Sequence, residues 1–233
     1  MRCSIHGAQV RFSGLSLLIF MHIEKKKCLK VAITGAMGCG KSAAAQTFRN
    51  LGVQVLDADK LCHEALESDA CVRKAVCDIL GKDCFDVETG IVRRDIIAKR
   101  VFGDSELLGE LEKILHPAAE KMWEKKARET EESGLGLGGF LPIIAVEVPL
   151  LYEKNLEKKF DVCICVYCSD KLRVKRLENR GMALEQIVSR DAFQLPSETK
   201  ALKADIVLFN ETDFAFLQKQ AALVLSRLKK YGR

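Results

Sequence analysis

Several absences narrow this chain before any motif is read. No apolar run is long enough to span a bilayer; the run Leu15-Ser-Leu-Leu-Ile-Phe-Met21 falls short, and no small-residue cleavage site follows it. The ten cysteines are scattered, and they do not supply the two Cys-x₂-Cys pairs that suit a zinc site. The tightest cluster, Cys163-x-Cys165-x-x-Cys168, lies in an apolar run that reads as a buried strand, with cysteine serving as a small hydrophobe. With no convincing secretory signal, reduced thiols and a cytoplasmic location are expected. The dinucleotide fingerprint is missing, because the glycines run Gly35-x-x-Gly38-x-Gly40. A guanine-reading Asn-Lys-x-Asp and an ATPase signature of the Leu-Ser-Gly-Gly-Gln type are missing too, which argues against a nucleotide-dependent switch or motor. Charge of one sign is not in great excess. The net charge of +5 suits a pocket for several phosphates without calling for a nucleic-acid partner.

What is present centres on Gly35-x-x-x-x-Gly40-Lys41-Ser42. A β-rich stretch (30–33) precedes it and a helix-forming stretch (43–49) follows, the setting a phosphate-binding loop requires. Gly35, Gly38 and Gly40 permit positive φ and bring bare N–H groups against phosphate oxygens, helped by the helix N-terminus. Lys41 supplies a mobile cation for the β- and γ-phosphates of a nucleoside triphosphate, and the Ser42 hydroxyl suits Mg²⁺.

The remaining pattern predicts a three-layer α/β domain with a parallel sheet. After Gly52, strand 53–56 closes on Asp57-Ala-Asp59. Helices are expected over 60–67, 71–80, 94–102, 105–115 and 118–132, with His116-Pro117 dividing the last two. So long a helical insertion exceeds an ordinary crossover and should form a separate lobe, 60–132. A glycine-rich connection (133–139) leads to strand 142–147. Strand 160–167, a basic hairpin (170–179 and 183–194), strand 205–209 and a closing helix (213–229) complete the core. Residues 1–28 stand apart. They lack an acid before Glu24, which leaves two readings, an organelle-targeting segment or a translation start at Met21 that leaves a short lead into the first strand; the second is preferred.

In parallel sheets ligands bind beyond the carboxyl ends of strands, and candidate chemistry gathers there. Asp57 and Asp59 share one side if that segment stays extended. One of them could accept a proton from an attacking hydroxyl, and Asp59 could equally cap the helix it precedes. Glu147 ends a strand, where an acid reaches a metal's water shell or simply caps the strand. Arg173, Arg176 and Arg180 fall on one face of a helix that is either a phosphate-clamping lid or a solvated surface. His116 reads as a structural histidine more readily than as a base.

Together these pieces resemble the dephospho-coenzyme A kinase family, from about Leu29 to Lys229. The resemblance is carried by the phosphate loop, Asp57-Ala-Asp59, Gly90-x-x-x-Arg94 with Val101-Phe102, and Leu111-Glu-x-Ile-Leu-His116-Pro117. It continues in Pro149-Leu-Leu-Tyr-Glu153, Arg176 with Arg180, Arg190-x-x-x-Gln194, and Ala204-Asp205…Asn210. The loop departs from the family's usual sequence at Ala36, Met37, Cys39 and Ala43. Ala36 adds a Cβ where the family commonly has none. The resemblance implies transfer of the γ-phosphate of ATP, with Mg²⁺, to the ribose 3′-hydroxyl of dephospho-CoA. It implies a five-stranded parallel sheet, an acceptor-binding lobe at 60–132 and a lid near 170–200. It makes Asp59 the base, with Lys41 and Arg176 neutralising the transferred group. ATP would be held by residues 35–43 together with Arg176, Arg180 and Asn210. The acceptor would meet Asp57, Asp59, Arg94, His116, Pro149 and Leu150, and the metal would meet Ser42 and, through water, Glu147. No nucleic-acid or membrane partner is implied, and a monomer or weak homo-oligomer is expected. A kinase for another small acceptor would share the loop and the lid, but would not need the Asp-Ala-Asp, His-Pro and Pro-Leu-Leu-x-Glu motifs together.

Overall fold

The computed structural model describes residues 2–5, 8–12, 27–86, 88–132 and 141–231. It divides into two compact units, Met1–Leu56 with Ala127–Arg233, and Asp57–Lys126. The strands are β1 (Arg2–Ile5), β2 (Ala8–Phe12), β3 (Leu29–Thr34), β4 (Gln54–Asp57), β5 (Ile143–Glu147), β6 (Val162–Tyr167) and β7 (Ile206–Phe209). The helices among the described residues are α1 (Lys41–Asn50), α2 (Ala58–Ser68), α3 (Ala70–Leu80), α4 (Arg94–Val101), α5 (Ser105–Glu132), α6 (Asp170–Glu178), α7 (Leu184–Asp191), α8 (Ser197–Lys203) and α9 (Phe214–Tyr231).

The sheet runs β1-β2-β7-β6-β3-β5-β4. Strands β3 to β7 form the expected five-stranded parallel sheet; β3 pairs in parallel with β5 and β6, and β6 with β7. Side chains alternate between its faces, as strand periodicity demands. Val31, Ile33, Ala145, Ile164, Val166 and Leu208 join one core with Phe48 of α1 and Leu217, Val224 and Leu228 of α9. On the opposite face Cys165 and Val207 pack with Ala201 and Ala204, at the end of α8, and Ile144 packs with Cys28 and Ala127. The β6 cysteines therefore serve as small core residues, and burial pushes the Cys163 thiol up to about 12. The core strands are apolar on both sides because both faces are covered.

The unit Asp57–Lys126 has its own core, built from Ala65, Leu66, Val72, Val76, Leu80, Phe85, Ile97 and Leu111. Two features there differ from the sequence reading. The helix begins at Ala58 instead of residue 60, so Asp57 and Asp59 are not on one extended segment. And α5 runs unbroken through Pro117. An interior proline costs about 3 kcal/mol. Leu111, Ala119, Trp123 and Ala127 are all buried along this helix. At about 1.5–3 kcal/mol for a large buried side chain, that stripe outweighs the lost hydrogen bond.

The sequence reading assigned no strand before β3, and the structure places a hairpin there. β1 pairs antiparallel with β2, and β2 with the outer edge of β7. Met21 and the glycine-rich connection 133–139 lie outside the described residues. The hairpin contains none of the loop, acid or lid positions. Deleting residues 1–20 is therefore expected to leave turnover per folded molecule unchanged while lowering the melting temperature, because the β7 edge loses its pairing. Thermal unfolding beside a turnover assay checks this; loss of turnover in a well-folded variant would count against it.

Candidate active site

The phosphate loop is shaped by its glycines. Gly35, Gly38 and Gly40 adopt φ of 146°, 84° and 94°. Space enforces the same choice. A Cβ on Gly35 would lie 2.4 Å from the Val166 carbonyl oxygen, and one on Gly40 would lie 2.2 Å from Asn210 Nδ2. Gly40 is also the N-cap of α1 and contributes no side-chain capping bond. The first-turn amides of α1, which a helix cannot satisfy internally, therefore face the loop's concavity. Lys41 arches back over the loop, its Nζ donating to the carbonyls of Gly35 at 3.0 Å and Ala36 at 3.2 Å.

The two metal candidates meet. Ser42 Oγ donates to Glu147 Oε1 at 3.0 Å, with Glu147 buried at the end of β5. The register of β3 against β5 sets this contact, since Ile33 stands opposite Glu147. A hydroxyl beside a carboxylate is a hard-oxygen donor pair of the kind a divalent cation favours.

The hairpin arginines divide into separate roles instead of one face. Arg173 is buried and held on several sides. Its guanidinium donates to both oxygens of Asp191, at 2.9 and 2.6 Å, to Asp170 at 3.1 Å, and to the Met37 carbonyl at 3.3 Å. Those acids raise its pKa against the opposing effect of burial. Arg173 thus braces the loop and does not project from the hairpin. Arg176 has a buried Nη1 with no hydrogen-bond partner among the described residues, and Arg180 is exposed. An unsatisfied guanidinium nitrogen is costly, and an anion would relieve it.

Other residues fasten the loop from behind. Asn210 Nδ2 donates to the Cys39 carbonyl at 2.8 Å, and Gln194 Oε1 accepts the Met37 amide at 3.2 Å. Asn210 is therefore placed as a loop brace. The buried Cys39 thiol lies 3.5 Å from the Ser197 hydroxyl. Cys39 packs with Cys168, and the interaction of the two thiols lowers the pKa of Cys39 and raises that of Cys168.

In the unit Asp57–Lys126, Asp57 is the N-cap of α2, its Oδ1 accepting the amides of Asp59 at 3.1 Å and Lys60 at 3.2 Å. The capping role considered for Asp59 belongs to Asp57, and Asp59 is an exposed acid of the first turn. Arg94 pairs with Glu67, and His116 is half-buried within α5. Pro149 and Leu150 follow β5 in the first unit; the Pro149 carbonyl accepts Lys200 Nζ at 2.8 Å and Thr34 Oγ1 at 3.5 Å.

A family model described as dephospho-CoA kinase matches residues 16–215. The chain belongs to the dephospho-CoA kinase family. It is 35% identical over 206 residues to the dephospho-CoA kinase of Protochlamydia amoebophila, spanning 88% of this chain and 98% of that one. It is 36% identical over 201 residues to the dephospho-CoA kinase of Aquifex aeolicus, spanning 86% and 98%. Among solved structures, TT1252 from Thermus thermophilus superposes with a TM-score of 0.70 at 30% identity, over 87% of this chain and 99% of that one. The dephospho-CoA kinase from Campylobacter jejuni shares the fold, with a TM-score of 0.59 at 24% identity over 88% and 100% of the two chains.

Within the family, this loop's unusual residues are accommodated locally. Ala36 is not among the residues with positive φ, and its methyl is buried with Cys39, Cys168 and Leu172. The extra Cβ causes no backbone strain. Sequence reasoning missed Asp191, Ser197 and Lys200 as partners of the site. Asp191 carried a faint signal, since it is an acid facing Arg173 across a hairpin. Lys200 carried none, because lysine rarely lies in a core.

Proposed function

We infer that the protein is an ATP-dependent kinase that phosphorylates the ribose 3′-hydroxyl of dephospho-CoA, giving coenzyme A and ADP. The observation that carries this is the phosphate loop with Ser42 and Glu147 joined at its mouth, in a chain that matches the dephospho-CoA kinase family over residues 16–215.

In this reading the loop amides and Lys41 bind the β- and γ-phosphates. Arg176, with its unsatisfied Nη1, neutralises the transferring phosphoryl group, and the hairpin 170–200 acts as the lid. Kinases of this family use a divalent metal with ATP. Ser42 and Glu147 would hold Mg²⁺, Glu147 through water, and the ion would draw charge off the β- and γ-oxygens. Asp59 takes the proton from the attacking hydroxyl. Asp57 is left to fix the helix start, and the separate unit that contains Arg94 and His116 would receive the acceptor. Arg180 and Asn210 complete the nucleotide side, Asn210 by holding Cys39 in place.

No described helix is long and apolar enough to cross a membrane. The nine cysteines from Cys28 to Cys168 are free thiols, in keeping with a cytoplasmic enzyme. We take it to act as a monomer or weak homo-oligomer, without nucleic acid.

A coupled assay tests the reading directly. ADP release should depend on dephospho-CoA and stay at background with no acceptor or with nucleoside monophosphates. Equal turnover on nucleoside monophosphates would overturn the assignment of the acceptor.

A further inference from the structure

Lys200 is the largest of the fully buried side chains among the described residues, and it is charged. Its Nζ lies 2.8 Å from Glu153 Oε1 and donates to the Pro149 carbonyl at 2.8 Å. Removing an ammonium from water is costly, and apolar replacement of a buried ion pair is often neutral or stabilising. Holding α8 against the sheet therefore does not by itself require a lysine here.

The partners of this pair lead to the phosphate loop along two routes. Glu153 Oε1 also accepts the Leu195 amide at 2.7 Å. Leu195 adjoins Gln194, whose Oε1 accepts the Met37 amide at 3.2 Å. On the other route, the Pro149 carbonyl accepts Thr34 Oγ1 at 3.5 Å, and Thr34 immediately precedes Gly35. One cation thus stands behind both the entry of the loop and the anchor of its third residue.

We propose that Lys200 is a positioning residue for ATP: through Glu153 and Pro149 it sets Gln194 and Thr34, so that the loop holds its phosphate-binding shape. This rests on the reading of the loop as the ATP site. Lys200 itself touches neither nucleotide nor reacting atoms. Its effect should pass through Gln194, a coupling that a purely structural ion pair would lack.

A double-mutant cycle on the full chain tests this, with Lys200→Met, Gln194→Ala and the pair combined. ATP affinity is read by calorimetry, turnover in the presence of dephospho-CoA, and folding by thermal melt. Lys200→Met is expected to weaken ATP binding and lower turnover per folded molecule by roughly ten- to a hundredfold, as a loop displaced by about an ångström would. The double variant should be little worse than Lys200→Met alone, because both act through one contact. Lys200→Arg, which keeps a donor cation, should recover most of the loss. Additive effects, or wild-type affinity and turnover in folded Lys200→Met, would overturn the proposal. If Lys200→Met fails to fold, Glu153→Gln takes its place in the cycle, and additivity with Gln194→Ala is again the refuting result. Titration of the wild-type chain separates the two readings: failure to bind ATP there would overturn both, whereas binding with additive variants overturns only the role of Lys200.

Discussion

Replacing Asp59 by Asn is expected to lower turnover by roughly 10²–10⁴, the usual range for a positioned acid–base group. The substitution keeps the side chain's shape and removes its basic oxygen. Helix capping cannot account for such a loss, because the cap of α2 is Asp57, which receives the amides of Asp59 and Lys60. As a first-turn acid, Asp59 contributes at most about 0.3–1 kcal/mol to the helix through the macrodipole. That effect would appear in the melting temperature and leave the chemical step alone. ATP affinity should hardly change, since the loop amides and Lys41 hold the phosphates. Asp57→Asn is the matched control. Asparagine caps about as well as aspartate, so near wild-type turnover is expected there. Single-turnover rates and ATP affinities on the two variants decide the matter, and near wild-type turnover in Asp59→Asn would sink the base assignment. Weakened nucleotide binding with lost Mg²⁺ dependence would move Asp59 to the metal's shell instead.

Arg176→Ala should have the second large effect, a fall in kcat on the order of 10³, toward the lower end for an arginine that stabilises a transferring phosphoryl group. The argument starts from its buried Nη1, which has no acceptor among the described residues. A nitrogen in that state is a liability of about 1–3 kcal/mol unless function requires it. A group used mainly in the transition state affects kcat more than the KM for dephospho-CoA. Arg180 is exposed and should matter much less. Hydrogen exchange across residues 179–183 should slow when ATP and acceptor bind together. Near-normal kcat in Arg176→Ala, with exchange unaltered by ligands, would remove this arginine from the phosphoryl-transfer step.

Legibility followed physical constraint. The phosphate loop was readable because positive φ at Gly35, Gly38 and Gly40 tolerates few other residues. The core strands were readable because burial on both faces demands unbroken apolar runs such as Ile143–Glu147 and Val162–Tyr167. Pairings between distant elements were not readable. Ser42 with Glu147, Arg173 with Asp191 and Lys200 with Glu153 leave no periodic trace in the sequence. Local rules failed where packing overrode them, as at Pro117 inside α5. They failed also at α8, which is short and whose buried Lys200 spoils its apolar face. Placing the start of α2 two residues late moved the cap from Asp57 to Asp59, a small error of boundary with a large effect on roles.

A guanidinium shared by α6, α7 and the phosphate loop would also limit how much of a lid at 170–200 has to be ordered when ATP binds. Arg173 ties Asp170, Asp191 and the Met37 carbonyl together in a buried cluster. If the hairpin 170–200 is a lid, the part freest to move would be the turn around Gly181, where φ is 81° and an added Cβ would meet nothing within 4 Å among the described residues. Immobilising backbone costs about 1–2 kcal/mol per residue. Confining the motion to a handful of residues keeps that entropy loss far below the cost of ordering the whole hairpin. More of the free energy of ATP binding then remains for the transition state.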